Sequence, residues 1–168
     1  MKRLTLLRHA KSSWTNPTLD DFERPLNTRG RRNALEMGER LRHLGLLPDR
    51  VLLSPARRSL ETAELLLPHL PLQQDQIELD DEIYGASGAT LLNRITHLSD
   101  CIEHLLLLGH NPGLTELWNR LAPQKVANIP TCSVFSLNLA VNQWGLIKQG
   151  PAQVAFIETP KNRPLSFF

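Results

Sequence analysis

The sequence predicts an α/β fold: a three-layer α/β/α sandwich around a mostly parallel sheet. Short apolar runs that suit buried strands alternate with segments of helical spacing through most of the chain, which is typical of a parallel sheet with helices on both faces. Residues 105–108 are four consecutive leucines, as in a strand that is buried on both sides. The length of 168 residues and the 41% hydrophobic fraction predict a single domain over residues 1–168.

The first elements are a strand and a capped helix. The apolar run at residues 4–7 suits a buried strand, although its periodicity alone does not exclude a helix. Apolar residues at helical spacing then predict a helix over residues 27–44, where Asn27 or Thr28 can cap the start and Gly45 ends it.

A second strand and helix follow. The apolar run at residues 51–53 leads into Ser54-Pro55, a cap residue followed by proline at the first helical position. The helix that begins there has an apolar stripe at helical spacing and closes at Pro68.

The same criteria place the remaining elements. In chain order they are a strand at 76–80, a helix marked by Leu91, Ile95, Leu98 and Ile102, the leucine strand at 105–108, a helix opening at Pro112, and strands at 133–139 and 153–159 around a turn at 142–145. The loosest stretch is 13–26, which contains Trp14. A loop of this length directly after a candidate site is often functional.

Polar side chains follow three of the predicted strands. The first strand is followed by Arg8 and His9, the second by Ser54 with Arg58 one helical turn on, and the leucine strand by His110. Open α/β sheets bind ligands beyond the carboxyl ends of their strands, and the arginine fork matches two phosphate oxygens. We therefore predict a phosphoryl site in which an imidazole nitrogen can attack phosphorus.

Composition argues against several other classes of protein. The net charge of +2 is too small and too dispersed for nucleic-acid binding, and no apolar run reaches membrane-spanning length. The apolar stretch near the start is too short for a signal peptide, so we expect a cytoplasmic protein. Cys101 and Cys132 form no disulfide framework or metal pair. The other histidines are expected to be surface or half-buried residues without a metal set: His43, His69, His97 and His104.

These motifs resemble those of the histidine phosphatase superfamily, the group that includes phosphoglycerate mutases and acid phosphatases. Residues 7–10 resemble its Arg-His-Gly signature, with Ala10 in place of the usual glycine. Residues 54–62 resemble its second motif, in which Arg58 is the phosphate-binding arginine, and residues 109–110 resemble the third. The resemblance covers nearly the whole chain and implies a phosphoglycerate mutase-like fold.

Within the superfamily, the chain looks most like the branch of SixA-type phosphohistidine phosphatases. The segments that carry this likeness are residues 8–14, 24–26 and 110–113, together with the short chain. The glycine replacement at Ala10 is acceptable if the turn keeps a negative φ.

The resemblance implies a hydrolase that needs no metal or other cofactor. His9 is expected to be the nucleophile that becomes phosphorylated, while Arg8, Arg58 and His110 hold the phosphoryl oxygens and stabilise the transition state. Water then releases phosphate.

The general acid stays open at this point. Glu82 and Asp21 are the two candidates, and each could equally be a solvated surface carboxylate. A leaving group that is itself an imidazole nitrogen needs less help than an alkoxide, so a missing acid would fit phosphohistidine. Arg24 either lines the substrate entrance or holds the loop by a salt bridge.

The favoured substrate is therefore phosphohistidine on a protein. One alternative is a small phosphomonoester, such as a sugar or nucleotide phosphate, and another is a phosphate-binding module without catalysis. A serine hydrolase is disfavoured because no Gly-x-Ser-x-Gly elbow occurs.

Overall fold

One six-stranded sheet forms the centre of the molecule in the computed structural model, which describes residues 1–162. The strands are β1 (Lys2–Arg8), β2 (Arg50–Leu53), β3 (Ile77–Leu79), β4 (His104–Gly109), β5 (Val134–Leu139) and β6 (Ala152–Glu158). Their order across the sheet is β3-β2-β4-β1-β5-β6. The first four strands in the sequence run parallel, and β5 and β6 are antiparallel to their neighbours. Residues 163–168 of the predicted domain lie outside the described residues.

Helices cover both faces of this sheet. They are α1 (Thr28–His43), α2 (Arg57–Leu66), α3 (Gly88–Thr96) and α4 (Gly113–Leu121). Helices α1 and α2 pack against each other on one face, and α3 and α4 do so on the other. The predicted three-layer α/β/α fold with a mostly parallel sheet is therefore confirmed.

The two central strands explain why the leucine runs lack polar alternation. Leu4 and Leu6 of β1 pack into the core on the α3–α4 side, whereas Leu7 packs into the core on the α1–α2 side. The leucines at 105–108 of β4 divide between the same two cores, and all four are fully buried. A central strand with a helix layer on each side buries both of its faces, so its apolar residues need not alternate with polar ones.

The residues that the sequence indicates for the start and the end of helix α1 lie at those positions in the structure. The Asn27 side chain accepts a hydrogen bond from the backbone N–H of Gly30 at 2.8 Å, which caps the helix. A Cβ atom on Gly30 would lie 2.2 Å from the Lys11 carbonyl oxygen, so glycine allows the helix start to approach the chain that leaves β1. Gly45, with a φ of 67°, follows the helix end.

Two details of the helix predictions are wrong. Helix α3 ends at Thr96, and Leu98 and Ile102 reach the same core from the turns that follow it, because apolar residues in a packed turn mimic helical spacing. Helix α2 begins at Arg57 without a side-chain cap. The N-cap position is Ala56, two residues after Ser54, and the Ser54 hydroxyl is within hydrogen-bond distance of a histidine ring.

His104 also departs from the expectation of a surface or half-buried residue. It is 7% exposed at the start of β4, its Nε2 lies 2.8 Å from Thr5 Oγ1, and its Nδ1 lies 3.2 Å from the Leu47 carbonyl oxygen. The sequence alone conceals this because both partners come from other elements. Across residues 1–162, no helix combines the length and the apolar character that crossing a bilayer requires.

Candidate active site

A cavity of about 550 Å³ opens at the carboxyl ends of the parallel strands. Arg8 ends β1 and His9 follows it, His110 follows β4, and Arg58 lies in the first turn of α2. All four side chains line this cavity. The structure thus brings together the four residues that the sequence places at three separate strand ends, as expected for an α/β sheet.

His9 is held as a neutral imidazole with one nitrogen free. It is 6% exposed, and its Nδ1 lies 2.7 Å from the Ala10 carbonyl oxygen. Only an N–H can satisfy that oxygen, so we assign the proton to Nδ1, which leaves Nε2 unprotonated. Burial lowers the pKa of His9 to about 3; the Ala10 hydrogen bond opposes the shift, and His110 and both arginines add to it. The ring is therefore available as a nucleophile at neutral pH.

His110 is assigned the same tautomer from a different contact. Its Nε2 lies 2.6 Å from Ser54 Oγ, and that oxygen accepts a hydrogen bond from the Ala56 backbone N–H at 3.4 Å. We assign the Ser54 hydroxyl proton to the contact with Nε2, which leaves the proton of the neutral His110 ring on Nδ1. Burial, and then the charge of Arg58, lowers the pKa of His110 to about 4. The ring centroids of His9 and His110 are 5.0 Å apart.

Three buried nitrogens at this cavity have no hydrogen-bond partner among residues 1–162. They are Arg8 Nε, Arg58 Nε and His110 Nδ1. Burial, and then the charge of Arg58, lowers the pKa of Arg8. Buried donors are normally paired, so three unpaired ones on cavity-lining residues suit an anion with several oxygens.

The segment after β1 is fixed by helix α2. Thr62 Oγ1 accepts a hydrogen bond from the Ala10 backbone N–H at 2.9 Å, and both residues are fully buried. Among the described non-glycine residues, only Cys132 has a positive φ, at 57°. Ala10 therefore occupies the usual glycine position with a negative φ, and its replacement of glycine causes no backbone strain.

Asp21 connects Arg58 to the loop that follows β1. Its carbonyl oxygen accepts from Arg58 Nη1 at 2.6 Å, and its Oδ2 accepts from Arg58 Nη2 at 3.0 Å and from the Tyr84 hydroxyl at 2.7 Å. Its Oδ1 accepts from Arg24 Nη2 at 3.0 Å. Burial alone would raise the pKa of Asp21, but the hydrogen bonds from Tyr84, Arg24 and Arg58 outweigh it and lower the pKa to about 2. At neutral pH this carboxylate holds no proton to donate.

The two remaining predicted residues, Arg24 and Glu82, lie in different places relative to the cavity. Arg24 lines the cavity and also forms a salt bridge to Asp21. Glu82 is exposed and is not among the residues that line the cavity, so the structure does not bring this candidate acid to the site.

Tyr84 is a site residue that sequence reasoning missed. Its ring lies edge-on to His110 with centroids 5.7 Å apart, and its hydroxyl donates to Asp21. The hydrogen bond to Asp21 is also the largest cause of its raised pKa. The residue follows a one-turn 3₁₀ helix at Asp81–Ile83, and no strand-end pattern marks it. Among the described residues, no group of three or more His, Cys, Asp or Glu could hold a metal ion.

Comparison with known proteins agrees with this architecture. A model of the histidine phosphatase superfamily (branch 1) matches residues 4–85. An uncharacterized chloroplast protein of Arabidopsis thaliana is 30% identical over 151 residues, which is 85% of this chain and 69% of the relative.

Solved structures share the fold across nearly the full length. A provisionally assigned phosphohistidine phosphatase SixA from Agrobacterium tumefaciens matches with a TM-score of 0.80 at 24% identity, covering 95% of this chain and 98% of that one. The protein histidine phosphatase SixA in complex with tungstate matches with a TM-score of 0.79 at 20% identity, covering 94% and 97%. At these identities the likeness establishes the fold.

Proposed function

Because the chain belongs to the histidine phosphatase superfamily (branch 1), we propose that it is a phosphatase whose nucleophile is His9. The observation that carries this proposal is that Arg8, Arg58 and His110 line one cavity with the neutral His9 ring, and that each has a buried nitrogen without a partner among residues 1–162: Arg8 Nε, Arg58 Nε and His110 Nδ1. Donors aimed at the place where charge develops are the main source of transition-state stabilisation in such reactions.

The first step transfers the phosphoryl group to the protein. His9 Nε2 attacks phosphorus, so a P–N bond forms while the bond from phosphorus to the leaving group breaks and its electron pair stays on the leaving group. Arg8, Arg58 and His110 bind the three remaining oxygens. The Nδ1–H of His9 keeps its hydrogen bond to Ala10 and stabilises the positive charge that the ring gains on attack.

The second step restores the protein. A water oxygen attacks phosphorus, the P–N bond breaks, and its electron pair returns to His9 Nε2. The water proton leaves with phosphate or solvent, and the products are inorganic phosphate and the neutral His9 ring. Because the hydrogen bond to the Ala10 carbonyl oxygen holds the His9 ring in place, the ring returns to the geometry that the next cycle requires.

We propose phosphohistidine on a protein as the substrate. Asp21 is ionised and Glu82 is exposed outside the cavity, so neither carboxylate is placed with a proton for a poor leaving group. A phosphohistidine ring that is protonated at its other nitrogen leaves as neutral imidazole, so it needs no proton from a carboxylate and leaves more readily than an alkoxide. One solved structure of the same fold carries the provisional name phosphohistidine phosphatase and another the name protein histidine phosphatase, which supports the same substrate.

The test compares wild type with His9→Ala on a phosphohistidine peptide and on a panel of phosphorylated metabolites. We expect His9→Ala to abolish turnover, and rapid-quench sampling of wild type to trap acid-labile phosphate on His9. His43→Ala is the matched control, because His43 is exposed and hydrogen-bonds only within α1. Undiminished turnover in His9→Ala would refute the nucleophile, preference for a metabolite would refute the substrate, and binding without turnover would indicate a phosphate-binding module.

A further inference from the structure

Trp14 differs from the other tryptophans of the chain by its exposure. Its side chain is 71% exposed, whereas Trp118 and Trp144 are fully buried, and the sequence has three tryptophans in all. Single exposed apolar side chains are ordinary on protein surfaces. The exposure of Trp14 alone therefore does not indicate a binding site. The contact of its ring with Arg24 and its place in the cavity do.

A buried cation supports one face of the Trp14 indole. The guanidinium carbon of Arg24 lies 3.5 Å from the ring centroid, well within the range of cation–π contact. Arg24 is 7% exposed, and its nitrogens donate to Ser12 Oγ at 2.7 Å and to Asp21 Oδ1 at 3.0 Å. Because one face of the indole is covered by a fixed side chain and the residue is largely exposed, the other face is open to a ligand.

The position of this open face matches the path of a substrate. Trp14 and Arg24 line the same cavity as His9. The proposed phosphoryl site lies at Arg8 and Arg58, whose Nε atoms are buried. The group attached to phosphorus must then extend towards the exposed side, where Trp14 lies.

We propose that the open face of Trp14 is a subsite for a planar leaving group, an imidazole or an aryl ring, that stacks on the indole. Flat π systems gain stacking and apolar contact on such a surface, which an acyclic amine or alkyl group does not match. This inference rests on the proposed function, because it assigns the leaving group of the same reaction.

An equilibrium experiment tests the subsite without turnover. Acrylamide quenching of tryptophan fluorescence reports mainly Trp14, since Trp118 and Trp144 are buried. We expect phenylphosphonate to protect Trp14 from acrylamide and methylphosphonate at the same occupancy to leave it accessible. Equal protection by the two phosphonates, or protection by neither, would overturn the proposal.

A kinetic experiment tests it in turnover. Two peptides of the same sequence, one with phosphohistidine and one with phospholysine, both contain a P–N bond and differ in whether the leaving group is planar. We expect Trp14→Ala to lower the ratio of their kcat/KM values about tenfold, through KM, and Trp14→Phe to retain most of it. Leu47→Ala, at an exposed apolar residue outside the cavity, is the control. An unchanged ratio in Trp14→Ala would overturn the proposal.

The two proposals fail in different ways. Turnover by His9→Ala, or no binding of either phosphonate, would contradict the proposed reaction. Inactive His9→Ala together with phosphonate binding, an accessible Trp14 and an unchanged substrate ratio would contradict the Trp14 subsite alone.

Discussion

The floor and the rim of the cavity are built in different ways. The floor consists of side chains at the ends of strands or in the first turn of a helix: Arg8, His9, Arg58 and His110. The rim consists of side chains from segments outside the strands and α-helices: Trp14, Asp21, Arg24 and Tyr84. The sheet fixes the floor, whereas contacts among side chains that meet at Asp21 fix the rim. We infer that the floor performs the chemistry and that the rim orients the floor and selects the substrate.

The largest effect is expected from a change in the floor that keeps its charge. Arg58→Lys should lower kcat/KM on the order of 100-fold, because an ammonium cannot replace a planar fork whose distal nitrogens bond Asp21 while Nε has no partner among residues 1–162. Steady-state kinetics on a phosphohistidine peptide measures this. Arg57→Lys is the matched control, because Arg57 is the exposed neighbour that bonds Glu61. Near-normal rates in Arg58→Lys would remove Arg58 from the phosphoryl site.

The contrast between floor and rim also explains what the sequence could predict. Arg8, His9 and His110 follow apolar strands directly, so their convergence follows from the position of strand ends in a parallel sheet. That argument needs only local patterns and the order of elements, both of which a single sequence displays. The alternation of strands and helices likewise predicts the layers of the fold.

The rim could not be predicted in the same way. Tyr84 meets Asp21 across 63 residues of sequence, and no periodicity encodes such a contact. The charge state of Asp21 depends on three donors that come from separate segments. For the same reason Glu82 and Asp21 look equivalent as candidate acids in the sequence, although one is exposed outside the cavity and the other bonds Arg58.

A smaller effect is expected from the link between rim and floor. Asp21→Asn should lower kcat/KM about tenfold and by the same factor for an aryl and an alkyl phosphate, because losing one charge-assisted hydrogen bond misaligns Arg58 whatever group leaves. Kinetics on the two esters measures this, with Glu82→Gln, whose side chain is exposed, as the control. A clearly larger loss for the alkyl ester would identify Asp21 as the proton donor and contradict a positioning role.

The smallest effect on catalysis is expected from His104, which shares the depressed pKa of the floor histidines but lies away from the cavity. Burial, and then the charge of Arg3, lowers its pKa to about 4. Between about pH 6.5 and pH 4 the unfolded chain therefore binds a proton at this residue that the folded chain excludes. The free energy of unfolding must fall as the pH falls through this window, by about 1.4 kcal/mol per pH unit for each such histidine.

His104→Gln should reduce the pH dependence of the free energy of unfolding by the contribution of one proton. It should leave turnover at neutral pH unchanged. His9 and His110, with pKa values lowered to about 3 and about 4, would keep contributing their share of the acid sensitivity. Urea unfolding of wild type and His104→Gln at pH 4.5, 5.5 and 6.5 measures the difference in slope. If both proteins lose stability equally over this range, the fold does not hold His104 neutral. Its hydrogen bonds to Thr5 and Leu47 then do not prevent protonation of the ring.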